Sequence, residues 1–258
     1  MSVMPVDRPL VLLSNDDGYG AEGLRALREA LLQVADVVVC APETEQSATS
    51  HALTLNRPLR LKKHTEGIMS LDGTPADCVY VALHSGRRVL PRPPDLVVSG
   101  MNHGANLGTD VFYSGTVAAA REGALRGYRA LAVSNAREGD FAAASAVAAR
   151  IALAVIEEQP PLLVNVNFPP GSSWPIRQTR LGSRVYTDTV DYRRDPRGVE
   201  YLWLGGPGAE HAPLTGSDTE AYDAGVIGVT PLLLDLFAAA DVPAVRRVVE
   251  RSGAAQRA

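Results

Sequence analysis

The chain has 258 residues, 46% of them hydrophobic and 21% charged, with a formal net charge of −4. That is core enough for a soluble α/β domain with an appendage, and the acidic balance argues against nucleic-acid polymer binding. Lysine occurs only at Lys62 and Lys63 and cysteine only at Cys40 and Cys78, so no disulfide framework is implied and a reducing, cytoplasmic setting is expected; no stretch reads as a secretory leader or a membrane span.

Residues 11–14 form a short apolar strand stopped by Asn15-Asp16-Asp17-Gly18. A helix over 21–34 follows, with Leu24, Leu27, Leu31 and Val34 on one face, and then a strand over 36–40. Strand, helix and strand with short links make a right-handed βαβ unit, hence a parallel sheet. The loop 41–51 is polar and rich in small hydroxyls. Residues 53–61 alternate as a strand with 68–71 as partner, and Thr74-Pro75-Ala76-Asp77 begins a helix running through Leu83, with a capping box closed by Asp77. A third core strand spans 95–99; the glycines and asparagines of 100–108 predict irregular backbone.

A helix opens at Ser114-Gly115-Thr116 and runs to about Arg126; a strand over 130–134, a helix over 141–159 and a strand over 162–168 follow. Beyond this the chain turns rich in Arg, Tyr and Thr. Residues 176–206 read as a hairpin, 184–190 against 199–204, around Asp195-Pro196-Arg197-Gly198. A strand over 226–234 returns, and fraying is expected after Arg251. The expected division is a catalytic core over 1–175, an extended arm over 176–210, and a return to the core with a tail over 211–258. A hairpin with so few residues to cover its faces predicts packing on a partner subunit.

Four segments carry candidate chemistry at strand ends or helix starts: Asp16 and Asp17 after the first strand, Ser47 in the next loop, Asn102 and Asn106 after the third core strand, and Ser114-Gly115-Thr116 at a helix mouth. In open α/β sheets ligands sit beyond the carboxyl ends of the strands. Adjacent carboxylates there become sensible with a cation between them and an anionic substrate, and carboxylate, hydroxyl and amide oxygens suit Mg²⁺, Mn²⁺ or Ca²⁺. The helix start offers unpaired N–H groups and hydroxyls to an anion. Together these are the minimal apparatus for phosphoryl-ester hydrolysis. Each segment alone has an ordinary reading: a capped turn, a solvated hydroxyl, a tight glycine turn, a helix cap. Four on one sheet edge weigh against that. A P-loop is absent, no lysine follows Lys63 as a receiver module requires, and the acids are adjacent rather than spaced as in haloacid-dehalogenase phosphatases.

The segments L-L-S-N-D-D-G (12–18), A-P-E-T-E-Q-S-A-T-S-H (41–51), L-D-G-T-P-A-D-C-V (71–79), D-L-V-V-S-G-M-N-H-G-A-N-L-G-T-D (95–110) and Y-S-G-T-V-A-A-A-R-E-G (113–123) together resemble the SurE family of survival-protein nucleotidases. Y-L-W-L-G-G (201–206) and V-T-P-L-L-L-D (229–235) fit as well. The resemblance implies a Rossmann-like three-layer α/β core with a mostly parallel sheet. It also implies a C-terminal β-hairpin arm exchanged in a homodimer or homotetramer. The implied activity is divalent-metal-dependent hydrolysis of nucleoside monophosphates at the 5′ or 3′ position. One Mg²⁺ or Mn²⁺ per subunit would be held by Asp16, Asp17, Ser47 and Asn102. Asn106, Ser114, Gly115 and Thr116 are the expected phosphate contacts. Asp16 or Asp17 would orient or supply the nucleophile, and His103 and Asp110 are the candidates for proton transfer. Ser50 stands where glycine is common, Met101 where Ile or Val is common, and Tyr113 where some members carry His. A short-chain exopolyphosphatase and a non-catalytic nucleotide-binding protein are the rival readings.

Overall fold

The computed structural model describes residues 8–186, 190–205 and 209–252. In chain order the core elements are β1 (Leu10–Ser14), α1 (Glu22–Leu32), β2 (Asp36–Pro42), β3 (Leu61–Thr65), β4 (Ile68–Leu71), α2 (Pro75–His84), β5 (Leu96–His103), α3 (Gly115–Leu125), β6 (Ala130–Asn135), α4 (Phe141–Glu157), β7 (Leu163–Phe168) and β8 (Ile176–Gln178). The arm follows as β9 (Arg184–Tyr186), β10 (Val190–Arg194), β11 (Glu200–Leu204) and β12 (Ala209–His211), and the chain closes with α5 (Asp218–Asp223), β13 (Ile227–Pro231) and α6 (Val242–Arg251).

One nine-stranded sheet runs β3-β4-β2-β1-β5-β6-β7-β13-β8. Its centre is parallel; only β3 against β4 and β13 against β7 are antiparallel. The apolar stripe of α1, Leu24, Leu27 and Leu31, packs with α4 on one face, and α2 and α3 cover the other with Cys78, Val79, Val117 and Ala120. Three layers result because strands buried on both faces, such as Leu10–Ser14, must be covered twice. Strand order turns outward in both directions from the β1–β5 pair. That makes the gap beyond their carboxyl ends the switch point where such sheets bind ligands.

Several expectations need correction. Residues 53–60 are not a strand: Thr54 donates its N–H and hydroxyl to Asp77 at 2.8 and 2.6 Å, and Arg60 N–H reaches Asp72 at 2.7 Å. Side-chain anchors replace a ladder there, and the edge strand begins at Leu61. The stretch after Ser99 is also less irregular than its glycines suggest. β5 runs to His103, with one extra residue between the Ser99–Ala132 and Asn102–Ser134 pairs, a bulge that re-aims Asn102. Helix α4 ends at Glu157, and the last strand at Pro231.

Residues 176–178 belong to the main sheet rather than to the hairpin. The hairpin itself pairs Val190–Arg194 with Glu200–Leu204 around the expected Asp195–Gly198 turn, whose Asp195 carboxylate accepts the N–H groups of Arg197 and Val199. Arg184–Tyr186 pairs instead with Ala209–His211, and residues 187–189 of the expected first strand lie outside the described residues. The stretch expected to fray lies, from residue 253 onward, outside them too. Among the described residues no helix is long and apolar enough to cross a membrane.

Candidate active site

A cleft of about 1500 Å³ opens at the switch point, and Asp16, Asp17, Ser47, Asn102, Asn106 and Ser114 line it. His103 and Asp110 line it as well. Folding therefore gathers segments that are up to a hundred residues apart in sequence.

Asp16 is the most deeply set, with 5% of its surface exposed. The Thr116 hydroxyl donates to its carboxylate, so the mouth of α3 is turned on Asp16 itself. Gly115 makes this approach possible: a Cβ there would stand 2.8 Å from Asp16 Cβ and 2.9 Å from Oδ2. Burial pushes the Asp16 carboxyl up to about 6, against the Thr116 hydrogen bond, and the neighbouring Asp17 raises it further. Burial also raises Asp17, opposed by a 3.2 Å hydrogen bond from the His103 N–H and reinforced by the charge of Glu45. Two acids held in a cleft at the cost of their charged forms are a site waiting for positive charge.

The other oxygen donors suit that charge. Asn102 spends its amide N–H on Gly104 O at 2.6 Å, which leaves its amide oxygen as the acceptor. Ser47 donates its proton to Glu45 at 2.7 Å, leaving its lone pairs. Among the described residues no cluster of three or more His, Cys, Asp or Glu is placed to hold a metal, so a cation here needs the neutral oxygens too. Two carboxylates, an amide and a hydroxyl fit a hard divalent ion.

The remaining predicted residues divide by what they touch. Asn106 is held by β6 and β7. Its N–H reaches Asn167 at 2.7 Å, its carbonyl accepts from Asn165 and Asn167, and its side-chain N–H donates to Ser134 at 2.8 Å. Ser114 caps α3, accepting the Val117 N–H at 3.1 Å, and keeps its own proton to donate. Gly115 and Thr116 are fully packed behind Asp16 and act on that carboxylate. His103 lies on the rim with Nε2 3.0 Å from Arg137 O. A carbonyl only accepts, so in the neutral ring Nε2 carries the proton and Nδ1 the lone pair. Asp110 is not a free acid: the Arg184 guanidinium and the Tyr186 hydroxyl both donate to it.

The family model described as survival protein SurE matches residues 11–188, which hold every one of these groups. The chain belongs to the SurE family. It is 62% identical over 238 residues to the 5′-nucleotidase SurE of Sorangium cellulosum (strain So ce56), covering 90% of this chain and 92% of that protein. It is 51% identical over 231 residues to the 5′-nucleotidase SurE of Anaeromyxobacter dehalogenans (strain 2CP-C), covering 87% of this chain and 90% of that one. The crystal structure of the SurE protein from Aquifex aeolicus superposes with a TM-score of 0.80 at 38% identity, over 93% of this chain and 99% of that one.

Asn165, Asn167 and Glu122 support this site and escaped the sequence reading. Asn165 and Asn167 alternate inside an otherwise apolar strand, V-N-V-N-F, and polar residues buried in a central strand demand partners. Glu122, 1% exposed, accepts from His51 at 2.8 Å and from Arg126, tying the end of the Ser47 loop to α3. Burial raises Glu122, but those two partners outweigh it and hold its carboxyl below the ordinary value. Ser50, where glycine is common, takes the left-handed conformation at φ 53° and donates to Phe112 O, which explains what the position requires.

Proposed function

We propose that the chain is a 5′-nucleotidase, a phosphoric monoester hydrolase that releases nucleoside and inorganic phosphate from nucleoside monophosphates. The observation that carries the reading is the pair Asp16–Asp17, the first buried and the second half-buried at the sheet's switch point, lining one cleft with Asn102, Ser47 and Ser114 of the α3 mouth, in a chain so similar to proteins named 5′-nucleotidase.

One Mg²⁺ or Mn²⁺ per subunit, held by Asp16, Asp17, Ser47 and Asn102, would polarise the phosphate and offset its developing negative charge. Thr116 and Gly115 hold the Asp16 carboxylate in one place, and the His103 N–H orients Asp17. Ser114 and Asn106 steady the phosphate oxygens, Ser114 through its free proton. His103, whose Nδ1 keeps a lone pair, moves a proton. Asp110 has no such part, because both of its oxygens are engaged.

The arm supports assembly. Tyr192, Leu202, Trp203 and Leu204 are 63, 49, 63 and 80% exposed on an isolated two-stranded ribbon, which needs a partner surface to be stable. The described part of the chain's last helix likewise buries none of its valines. A homodimer or homotetramer built through residues 176–210 covers them. The proposed compartment is the cytoplasm, where the buried thiols of Cys40 and Cys78 stay reduced.

The test is phosphate release from a panel of 5′- and 3′-nucleoside monophosphates and short polyphosphate, with chelator and then with Mn²⁺ or Mg²⁺ restored. Metal-restored release from nucleotides, lost in Asp17→Asn, is the expected result. Near-normal turnover by Asp17→Asn, or release indifferent to chelator, overturns the reading.

A further inference from the structure

The acids and the α3 mouth account for the phosphate end of the cleft but not for its volume of about 1500 Å³. Another part of its wall is built by the root of the arm: Arg184 and Tyr186 of β9 line the same cleft as Asp16. Asp110 clamps both, accepting from the Arg184 guanidinium and, at 2.6 Å, from the Tyr186 hydroxyl. The guanidinium lies 5.4 Å from the centroid of the Tyr186 ring, so cation and ring form one unit. Asp218, fully buried, adds a second clamp: it accepts the Gly108 N–H at 2.9 Å and the Gly182 N–H at 2.6 Å, joining the Asn106 loop to the chain entering β9. Burial and the bond to Asp110 push the Tyr186 hydroxyl up to about 12, so it stays a donor throughout the neutral range.

A ring so firmly held, yet belonging to a residue 44% exposed in a cleft, presents aromatic surface to whatever enters it. Such a surface beside a guanidinium is the chemistry of base stacking, which tolerates any base because every base has a π face. We infer that Tyr186, with Arg184 beside it, is the platform for the base of the nucleotide, and that Asp110 is the positioning residue holding that platform against the phosphate end. This rests on the nucleotidase reading and adds where the nucleoside half goes. It also makes the arm's root part of the site, so the element that supports assembly carries substrate selectivity.

The experiment uses the full chain with Mn²⁺ and reads kcat/KM for adenosine 5′-monophosphate and for glycerol 2-phosphate, an ester with no base. Tyr186→Ala lowers the ratio of the two by about tenfold, chiefly through KM for the nucleotide. Tyr186→Phe keeps the ring but breaks the bond to Asp110, and lowers the ratio by about threefold. Asp110→Asn lowers it while both limbs of the kcat–pH profile stay in place, as a positioning residue requires. A ratio that holds within twofold in Tyr186→Ala, or a loss shared equally by both esters, overturns the platform. A missing limb in the Asp110→Asn profile overturns the positioning role and returns Asp110 to proton transfer. A wild-type protein that cleaves glycerol 2-phosphate and nucleotide alike overturns the platform alone; one that cleaves neither overturns the nucleotidase reading and the platform with it.

Discussion

Gly115→Ala tests the packing of the α3 mouth on Asp16. The new Cβ would stand 2.8 Å from Asp16 Cβ and 3.1 Å from Pro75 Cγ. Carbon atoms touch at about 3.5 Å, so something must give by roughly 0.7 Å. Pro75 opens α2 and is buried, and Asp16 follows a strand that is buried along its whole length, so the movement falls on the Asp16 carboxylate. Overpacking of this kind costs about 1–3 kcal/mol, offset by up to about 1 kcal/mol from replacing glycine in a helix. The net loss of stability is therefore about 0–3 kcal/mol, while the proposed metal ligand, displaced by most of an ångström, costs about tenfold or more in rate even where the protein stays folded. The assay is kcat and the Mn²⁺ half-saturation concentration beside the melting temperature. Gly20→Ala is the control, since a Cβ there meets nothing within 4 Å. Gly115→Ala with wild-type kcat and wild-type Mn²⁺ demand would refute the claim that the helix mouth places Asp16.

Asp16→Asn melts at a higher temperature than chelated wild type at pH 7. A carboxyl raised from 3.8 to about 6 contributes stability that is complete below the lower value and lost as pH rises through the upper one. The loss is roughly 3 kcal/mol, and the gap between the two proteins closes near pH 4. Glu122→Gln shows the opposite slope. Its carboxyl is depressed, so its contribution, about 1.5–3 kcal/mol from two charge-assisted bonds, is present above the ordinary glutamate range and fades as acid titrates it. Melting curves from pH 3 to 7 check both. Asn167→Leu leaves the Asn106 N–H without its partner and lowers kcat/KM by about tenfold or more, read by steady-state kinetics. Leu202→Asp with Trp203→Asp on the exposed ribbon shifts the protein to a smaller species in light scattering.

The elements legible in the sequence are those whose cause is local. Leu24, Leu27 and Leu31 recur at helical spacing, and α1 buries them; Thr74 and Asp77 form the capping box their spacing requires. Where a partner far along the chain decides the structure, local reading fails. The alternation of 53–61 yields because Asp77 and Asp72 capture its backbone groups. The three residues of β8 join the sheet because β13 offers an edge, and nothing in Ile-Arg-Gln announces it. At the site the same rule holds. That Asp16, Asp17, Asn102 and Ser47 come to one cleft is legible because oxygen-bearing side chains at strand ends have a chemistry of their own. Asp110 looked equally free, but its two oxygens belong to Arg184 and Tyr186 on the arm. Thr116 looked like a phosphate contact, and its hydroxyl is turned on Asp16.

These assignments connect stability to function through one trade. A carboxylate taken out of water without an opposite charge is expensive, and the turn after β1 places Asp16 buried and Asp17 half-buried at the centre of the sheet. Neither acid is paired with an arginine or lysine among the described residues: Thr116 and the His103 N–H supply hydrogen bonds, and at Asp17 the charge of Glu45 works against the easing effect of His103. Arginines elsewhere in the molecule do close their ion pairs, as Arg126 does with Glu122 and Arg184 with Asp110. An arginine against Asp16 would give that carboxylate a partner and fill the place of the proposed divalent ion. Acids left short of positive charge favour the proposed cation, and stability then leans on the Asp110 clamp in the cleft wall and on the Glu122 clamp that ties the end of the Ser47 loop to α3. Loosening either clamp therefore alters the site before it unfolds the protein.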